Sequence, residues 1–173
     1  MTMLVRDLLS ELPLTLPDPV PLDMERLLRE PVNIAGDWSR TEGLLCEAIS
    51  RFPEQLELRI ALFKMYAYAF RVQQSLALIY EVLQLAAEQA GFEPDWHKLD
   101  DHSADWRHAK GAVRIYLYTL KALGFVSLRA GNLPQAEDAL TALARLDPLD
   151  QVGGSVVRGM LDSLLEQEQE DAL

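Results

Sequence analysis

Two stretches of the chain, 95 residues apart, share one layout that limits what the chain can fold into. In each stretch a glycine precedes a helical pattern, small and apolar residues recur on one face, and a proline follows the last turn. The glycines are Gly36 and Gly131, and the prolines are Pro53 and Pro148. The layout predicts the second helix of a helical hairpin, a unit that buries its apolar face by stacking on neighbouring hairpins.

Apolar periodicity predicts helices along most of the chain and no sheet. Residues 3–12 are predicted to form a short amphipathic helix, and residues 13–21, with four prolines, an extended arm. The remaining helices are predicted over residues 22–30, 38–51, 54–69, 72–90, 110–129, 133–146 and 151–168. Asp23 is expected to cap the helix at 22–30, and Phe70, at the end of the helix at 54–69, is expected to face the core. One stripe on the last helix comprises Val152, Val156, Met160, Leu161, Leu164 and Leu165.

Residues 117–150 resemble a tetratricopeptide repeat, which is a 34-residue helical hairpin. The residues at its signature positions are Leu123, Gly124, Gly131, Ala136, Leu140 and Pro148. Residues 54–87 match less closely, through Leu62, Tyr66, Ser75, Ile79 and Val82. The resemblance implies an all-α fold in one domain over residues 1–173. This fold would be a short superhelix of about three hairpins with an insertion and a C-terminal capping helix.

The spacing of the two layouts places an insertion at residues 91–112. Two 34-residue repeats would separate the prolines by 68 residues, and the observed 95 is 27 more; the extra residues are the end of the helix that runs to Ala90, plus about 91–112. The insertion holds all three histidines and two of the three tryptophans. Its candidate partner or ligand residues are Trp96, His97, Asp101, His102, Asp105, Trp106 and His108.

Three interpretations of this insertion stay open. If it were helical, one face would carry histidine and carboxylate side chains that could bind a transition metal; these are His97, Asp101, Asp105 and His108. The segment could instead contact a partner. The third interpretation is an acidic, hydrated connector that its tryptophans hold to the repeats. No residue is assigned as a metal ligand.

In tetratricopeptide arrays the first helix of each hairpin lines a concave surface that binds partner peptides. By position, the resemblance implies a groove here that contains Ile60, Lys64, Tyr68, Tyr118, Lys121, Phe125 and Arg129. The asparagines with which some co-chaperones of this family bind a terminal carboxylate are absent. The mixed side chains favour an apolar or amphipathic segment with some acidic character. Alternatively, the N-terminal arm or the insertion covers the aromatic residues Tyr68, Tyr118 and Phe125.

Composition narrows the function classes. The net charge of −11 and the pI of about 4.6 disfavour binding to nucleic acid or to anionic membranes. The chain has no apolar run of bilayer-spanning length and no secretory signal pattern, which favours the cytoplasm. The single cysteine, Cys46, is expected to be a buried core residue. No phosphate-binding loop or nucleophile motif is present, so neither an enzyme nor a cofactor is predicted.

The sequence therefore predicts a protein-interaction scaffold or chaperone-like adaptor that binds another protein or a peptide segment. One alternative is a secretion-type chaperone, because the chain resembles this class of chaperones in its length, its acidity and its helical hairpins. A metal- or ligand-binding accessory factor that uses residues 95–108 is another. A structural unit that self-associates through its last helix is the third.

Overall fold

The computed structural model describes residues 2–10 and 19–173. These residues form an all-α structure, about 70% helical with almost no strand, which confirms the predicted fold class. Residues 11–18, which include most of the predicted arm, lie outside the described residues. The helices are α1 (Leu22–Leu28), α2 (Trp38–Arg51), α3 (Leu56–Tyr68), α4 (Val72–Ala90), α5 (Gly111–Arg129), α6 (Leu133–Leu146) and α7 (Gly154–Asp171).

The repeated glycine layout begins α2 and α6 in the same way. The residue after each glycine is the N-cap, and its side-chain oxygen accepts the backbone N–H three residues later. Asp37 accepts from Arg40 at 3.3 Å, and Asn132 accepts from Gln135 at 3.3 Å. Gly131 has a φ of 79°, which lets the chain turn sharply out of α5.

The chain forms two compact units, Met1–Leu78 and Ile79–Leu173, and α4 crosses the division. The first unit has its own apolar core, to which its N-terminal segment and α1, α2 and α3 contribute. The buried members of this core are Val5, Leu8, Leu9, Met24, Leu27, Leu28, Val32, Leu45, Ala48, Leu58, Ala61, Leu62, Met65 and Tyr66.

The N-terminal segment is not the helix that the sequence predicts. Strand β1 (Met3–Leu4) pairs antiparallel with β2 (Pro31–Val32), and a 3-10 turn over Val5–Leu9 follows. The Leu4 N–H donates to the Asp7 carboxylate at 2.7 Å, so a side chain binds this donor where the strand gives way to the turn. Two-residue strands are too short to produce a recognisable alternation, and the sheet was therefore not predicted.

Three expectations in the first unit are wrong. Pro21, not Asp23, is the N-cap of α1, and the Asp23 carboxylate pairs with Arg51 instead. Phe70 is 69% exposed with a φ of 58°, because it lies in the sharp turn after α3 rather than on its packed face. Cys46 is exposed; desolvation, and then the nearby carboxylate of Glu42, raise its thiol pKa. A raised pKa lowers the thiolate fraction and thus the reactivity.

Helix α7 packs through a different face from the predicted stripe. Gly153 adopts a φ of 76°, and the helix begins at Gly154. Val157 and Leu161, one turn apart, are buried, whereas Val156 and Met160 are exposed. The predicted stripe is therefore divided between the buried face and the surface.

Helices α5 and α6 approach closely at Gly124. A Cβ atom on this glycine would lie 2.7 Å from both Cγ and Cδ2 of Leu140, which is itself buried. Ala136, one turn earlier on α6, is completely buried. These are signature positions of the tetratricopeptide resemblance, and here small side chains permit the close packing.

We predict that Gly124→Ala lowers the free energy of unfolding. Forcing a methyl group against Leu140 costs about 1–3 kcal/mol, which outweighs the roughly 1 kcal/mol that alanine gains in helix propensity. The matched control is Gly159→Ala on α7, where an added Cβ meets no atom within 4 Å. Urea denaturation should show the two variants shifting in opposite directions. Equal stabilisation by both would contradict the tight packing.

Candidate functional site

The insertion at residues 91–112 contains two short 3-10 turns. They span Trp96–Lys98 and Trp106–His108. Each turn begins after an aspartate whose side chain accepts a backbone N–H from within the turn, at 3.0 Å for Asp95 and 3.3 Å for Asp105. The two aspartates therefore set the local conformation as caps.

The proposed histidine–carboxylate helix face does not exist, because non-helical backbone joins the two turns. Helical spacing is what would have aligned the side chains, and without it their order in the sequence no longer predicts a common face. This correction applies to His97, Asp101, Asp105 and His108.

Aromatic side chains hold the insertion against α5. The Phe92 ring lies 4.9 Å from the Tyr116 ring in an edge-on arrangement and 5.2 Å from the Trp106 ring. Tyr116 and Trp106 are both buried, and burial raises the pKa of the Tyr116 hydroxyl. That hydroxyl donates to the Pro94 carbonyl at 2.7 Å, and the Trp106 indole donates to the Asp100 carbonyl at 2.8 Å. The insertion is thus packed around aromatic groups whose polar atoms are satisfied.

Helix α6 holds the insertion through Arg145. Its guanidinium donates to the Trp96 carbonyl at 2.9 Å and also to the Leu99 carbonyl. One side chain therefore fixes both ends of the turn at Trp96–Lys98. Charged donors on backbone carbonyls form stronger hydrogen bonds than neutral ones.

Gln151, between α6 and α7, holds the second turn. Its Nε2 donates to the Trp106 carbonyl at 2.6 Å, and its Oε1 accepts from the Ala109 N–H at 3.2 Å. The buried Asp147 orients this amide by accepting from Nε2 at 3.0 Å. The contacts agree with the interpretation of the insertion as a connector held to the helices.

His97 joins the insertion to α6. Its Nδ1 lies 2.9 Å from Asp95 Oδ1, and its Nε2 lies 2.8 and 2.9 Å from the two carboxylate oxygens of Asp138. The hydrogen bond to Asp138 and then that to Asp95 raise the pKa of His97. Hydrogen bonds from the His97 backbone and ring lower the pKa of Asp95. The Trp96 indole also donates to Asp138, at 3.1 Å.

The other two histidines contact different aspartates. His108 Nδ1 lies 3.2 Å from Asp105 Oδ1, and the His102 backbone N–H donates to Asp100 at 2.8 Å. Asp101 is exposed. Within residues 2–10 and 19–173, no group of three or more histidine, cysteine or acidic side chains is arranged to hold a metal ion.

The first unit contains three of the predicted groove residues. Ile60 is completely buried, so its side chain is not available at the surface. Lys64 is half-buried, and its Nζ donates to the Leu8 carbonyl at 3.2 Å, which shows that the N-terminal segment covers this part of α3. Tyr68 is 57% exposed. Of the three, Tyr68 is best placed to contact a partner.

The second unit contains the other four predicted groove residues, and all of them lie on α5. Tyr118 is buried, and Lys121 Nζ lies 4.6 Å from the centre of its ring. Phe125 is half-buried, and the exposed Arg129 lies 5.7 Å from the centre of the Phe125 ring. The four residues thus form two cation–π pairs along one helix. Tyr118 is too buried to contact a partner directly.

An open depression in the first unit was not predicted as a site. It encloses about 540 Å³, within the range of roughly 300–1,000 Å³ that is common for ligand pockets. Its lining is predominantly apolar and comes from the N-terminal strand, the loop before α2, α2 itself and the end of α3. The lining residues are Met3, Ile34, Ala35, Trp38, Tyr68, Ala69 and Arg71. We call this depression the aromatic pocket.

Polar contacts fix the tryptophan of the aromatic pocket. The Trp38 indole N–H donates to Glu42 at 2.9 Å, and the Arg71 guanidinium lies 4.4 Å from the centre of its ring. Arg71 also lies 3.9 Å from Glu42. The Tyr66 ring is 5.9 Å away and tilted, and it adds a packing contact from the core side. The indole is therefore held in place before any ligand arrives.

A partial signal for this pocket exists in the sequence. Trp38 begins α2, whereas the smaller Leu133 begins α6 at the matching position of the repeated glycine layout. Met3 and Ile34 carry no such signal, because a two-residue strand pairing brings their segments together.

The comparisons with known proteins leave the family open. No family model matches the chain, and no solved structure matches it. The chain is 28% identical over 131 residues to an uncharacterized 19.8 kDa protein in the nifW 5′ region of Azotobacter chroococcum mcd 1. This similarity covers 75% of the present chain and 72% of the other protein. No helix among the described residues is long and apolar enough to cross a membrane.

We predict that Gln151→Ala loosens the insertion. The substitution leaves the Trp106 carbonyl and the Ala109 N–H without their side-chain partner, at a cost of about 1–3 kcal/mol. Hydrogen exchange of the Ala109 amide should become faster, and the midpoint of urea unfolding should fall.

The control for this prediction is Gln84→Ala on α4, an exposed glutamine that pairs with Glu88. It should leave both measurements close to those of the unchanged protein. Unchanged exchange at Ala109 in the Gln151 variant would show that the amide does not hold the insertion.

Proposed function

We propose that this protein is a cytoplasmic adaptor or chaperone-like scaffold that binds an apolar segment of another protein in the aromatic pocket. The observation that supports this proposal most directly is the open, mainly apolar depression formed by Trp38 and Tyr68 in the first unit. Helical-hairpin proteins commonly act as binding scaffolds, so the fold class agrees with this role.

The exposure of Tyr68 is the first argument. This ring is 57% exposed although it lies at the end of a helix that otherwise buries nearly all its apolar residues. Tyrosine and tryptophan carry large apolar surfaces with little side-chain entropy to lose, and both are enriched among residues that dominate binding energy. A partner side chain that enters the pocket would remove this apolar area from water.

The fixed position of Trp38 is the second argument. Glu42 and Arg71 hold its ring by a hydrogen bond and a cation–π contact. Binding to a ring that is already held costs less conformational entropy than binding to a mobile one. Arg71 lines the pocket, but its guanidinium lies 3.9 Å from Glu42, so apolar contact rather than charge would select the partner.

The rival functions receive less support from the described residues. A secretion-type chaperone would also bind an apolar segment, so it is a special case of this proposal. A metal-dependent accessory role lacks a suitable ligand group within the described ranges. Self-association through α7 would rest on Val156 and Met160, whose exposure alone does not identify an occupant.

We predict that Tyr68→Ala weakens binding to the native partner by roughly 30-fold, which corresponds to about 2 kcal/mol for an anchor residue. The partner would be isolated from the native organism by affinity purification, identified by mass spectrometry and titrated as a purified protein. Leu149→Ala is the matched control, because Leu149 is an apolar residue of the second unit with 61% exposure. Both variants should retain the far-ultraviolet circular dichroism of the unchanged protein.

A photo-crosslinking amino acid provides an independent test. Placed at position 68 it should form a covalent bond with an apolar segment of the partner, and placed at position 149 it should not. Equal affinity of the Tyr68→Ala variant, together with crosslinks only from position 149, would overturn the proposed site.

A further inference from the structure

We propose that His97, held between Asp95 and Asp138, is a pH-sensitive clasp that fastens the turn at Trp96–Lys98 to α6. The clasp lies in the second unit and goes beyond the proposed partner binding, which uses the first unit. Its basis is the contact geometry of both ring nitrogens.

The geometry of the two contacts favours a protonated ring. A neutral imidazole has one N–H and one lone pair, so it can donate to only one carboxylate. Both ring nitrogens of His97 lie within 2.9 Å of carboxylate oxygens, on Asp95 on one side and Asp138 on the other. Two such contacts are favourable only for the imidazolium, in which both nitrogens are donors.

Loss of the proton weakens one contact more than the other. Asp95 is two residues from His97 and also accepts its backbone N–H at 3.0 Å, so this contact is maintained by the turn itself. Asp138 is 41 residues away on α6, and only side-chain contacts keep it beside the ring. A neutral ring has a single N–H for the two carboxylates, so deprotonation weakens the pair of contacts, and the contact that can separate without undoing the turn is the one to Asp138.

The charged surroundings give the direction of the pH dependence. Asp95 and Lys98 lie on the turn, Asp138 lies on α6, and α4 contributes Tyr80, whose hydroxyl accepts from Gln135 and senses the Asp138 charge. The two carboxylates raise the pKa of His97. The clasp is therefore fully closed below the ordinary histidine pKa and opens as the pH rises through the raised value.

Neighbouring contacts limit the effect to the turn at Trp96–Lys98 when His97 and Asp138 separate. The Trp96 indole shares the Asp138 carboxylate with His97 and lies 5.3 Å from its ring. Arg145 still holds the Trp96 carbonyl at 2.9 Å, so the turn loosens without leaving α6. Trp96 is consequently both the residue whose environment changes and a natural reporter of the change.

Nuclear magnetic resonance of the full chain tests the clasp. The three histidine rings and the Trp96 indole N–H would be followed from pH 5 to pH 9, with Trp96→Phe used to assign the indole signal. We expect His97 to titrate above the ordinary histidine pKa, and the Trp96 signal to follow the His97 curve. A His97 midpoint at or below the ordinary histidine value, or a Trp96 signal that stays constant through the His97 titration, would overturn the proposal.

Substitutions at Asp138, Asp105 and His97 test whether the His97–Asp138 ion pair causes the pH response of Trp96. Asp138→Asn keeps a side-chain oxygen for the indole but removes the charge, so the His97 midpoint should fall and the pH response of Trp96 should be lost. Asp105→Asn is the control, because Asp105 contacts His108 in the other turn, and it should leave the His97 midpoint and the Trp96 response unchanged. His97→Gln should make the Trp96 signal insensitive to pH across this range. A Trp96 response that persists in His97→Gln would assign it to another group and overturn the clasp.

Discussion

The close approach of α5 and α6 at Gly124 is the constraint on which the second unit depends. Only a residue without a side chain lets Leu140 fill the space between the helices. This packing fixes where α6 lies, and α6 carries Asp138 and Arg145, which hold the first turn of the insertion. A backbone position inside a helix thus determines the placement of a segment that has no regular structure of its own.

The helices were predictable because their signals are local. Caps such as Asp37 and Asn132, left-handed glycines such as Gly131, and apolar periodicity all act within a few residues. The errors at the N-terminal segment and on α7 occurred where distant segments decide the outcome. The strand at Met3–Leu4 forms because residues 31–32 are beside it, and the face that α7 buries depends on α5 and α6, which no periodicity identifies.

The candidate sites were harder to predict than the fold. The tetratricopeptide resemblance selected Tyr68, which is exposed, but also Ile60, which is buried. The aromatic pocket combines the repeat with Met3 and Ile34, which lie outside the repeat pattern, so resemblance alone could not define it. The sequence analysis selected His97 because of its residue type. Its partner Asp138 is 41 residues away, so this pairing could be identified only from the folded structure.

The anchoring of the insertion has an evolutionary consequence. Arg145 and Gln151 use their side chains to bind backbone carbonyls of residues that precede them by 45 to 49 positions. In a relative that had lost the insertion, the arginine would lose these two carbonyl acceptors, and the glutamine would keep its hydrogen bond to Asp147 but lose those to residues 106 and 109. The insertion and the arginine that holds it are therefore expected to be inherited or lost together, as one heritable module.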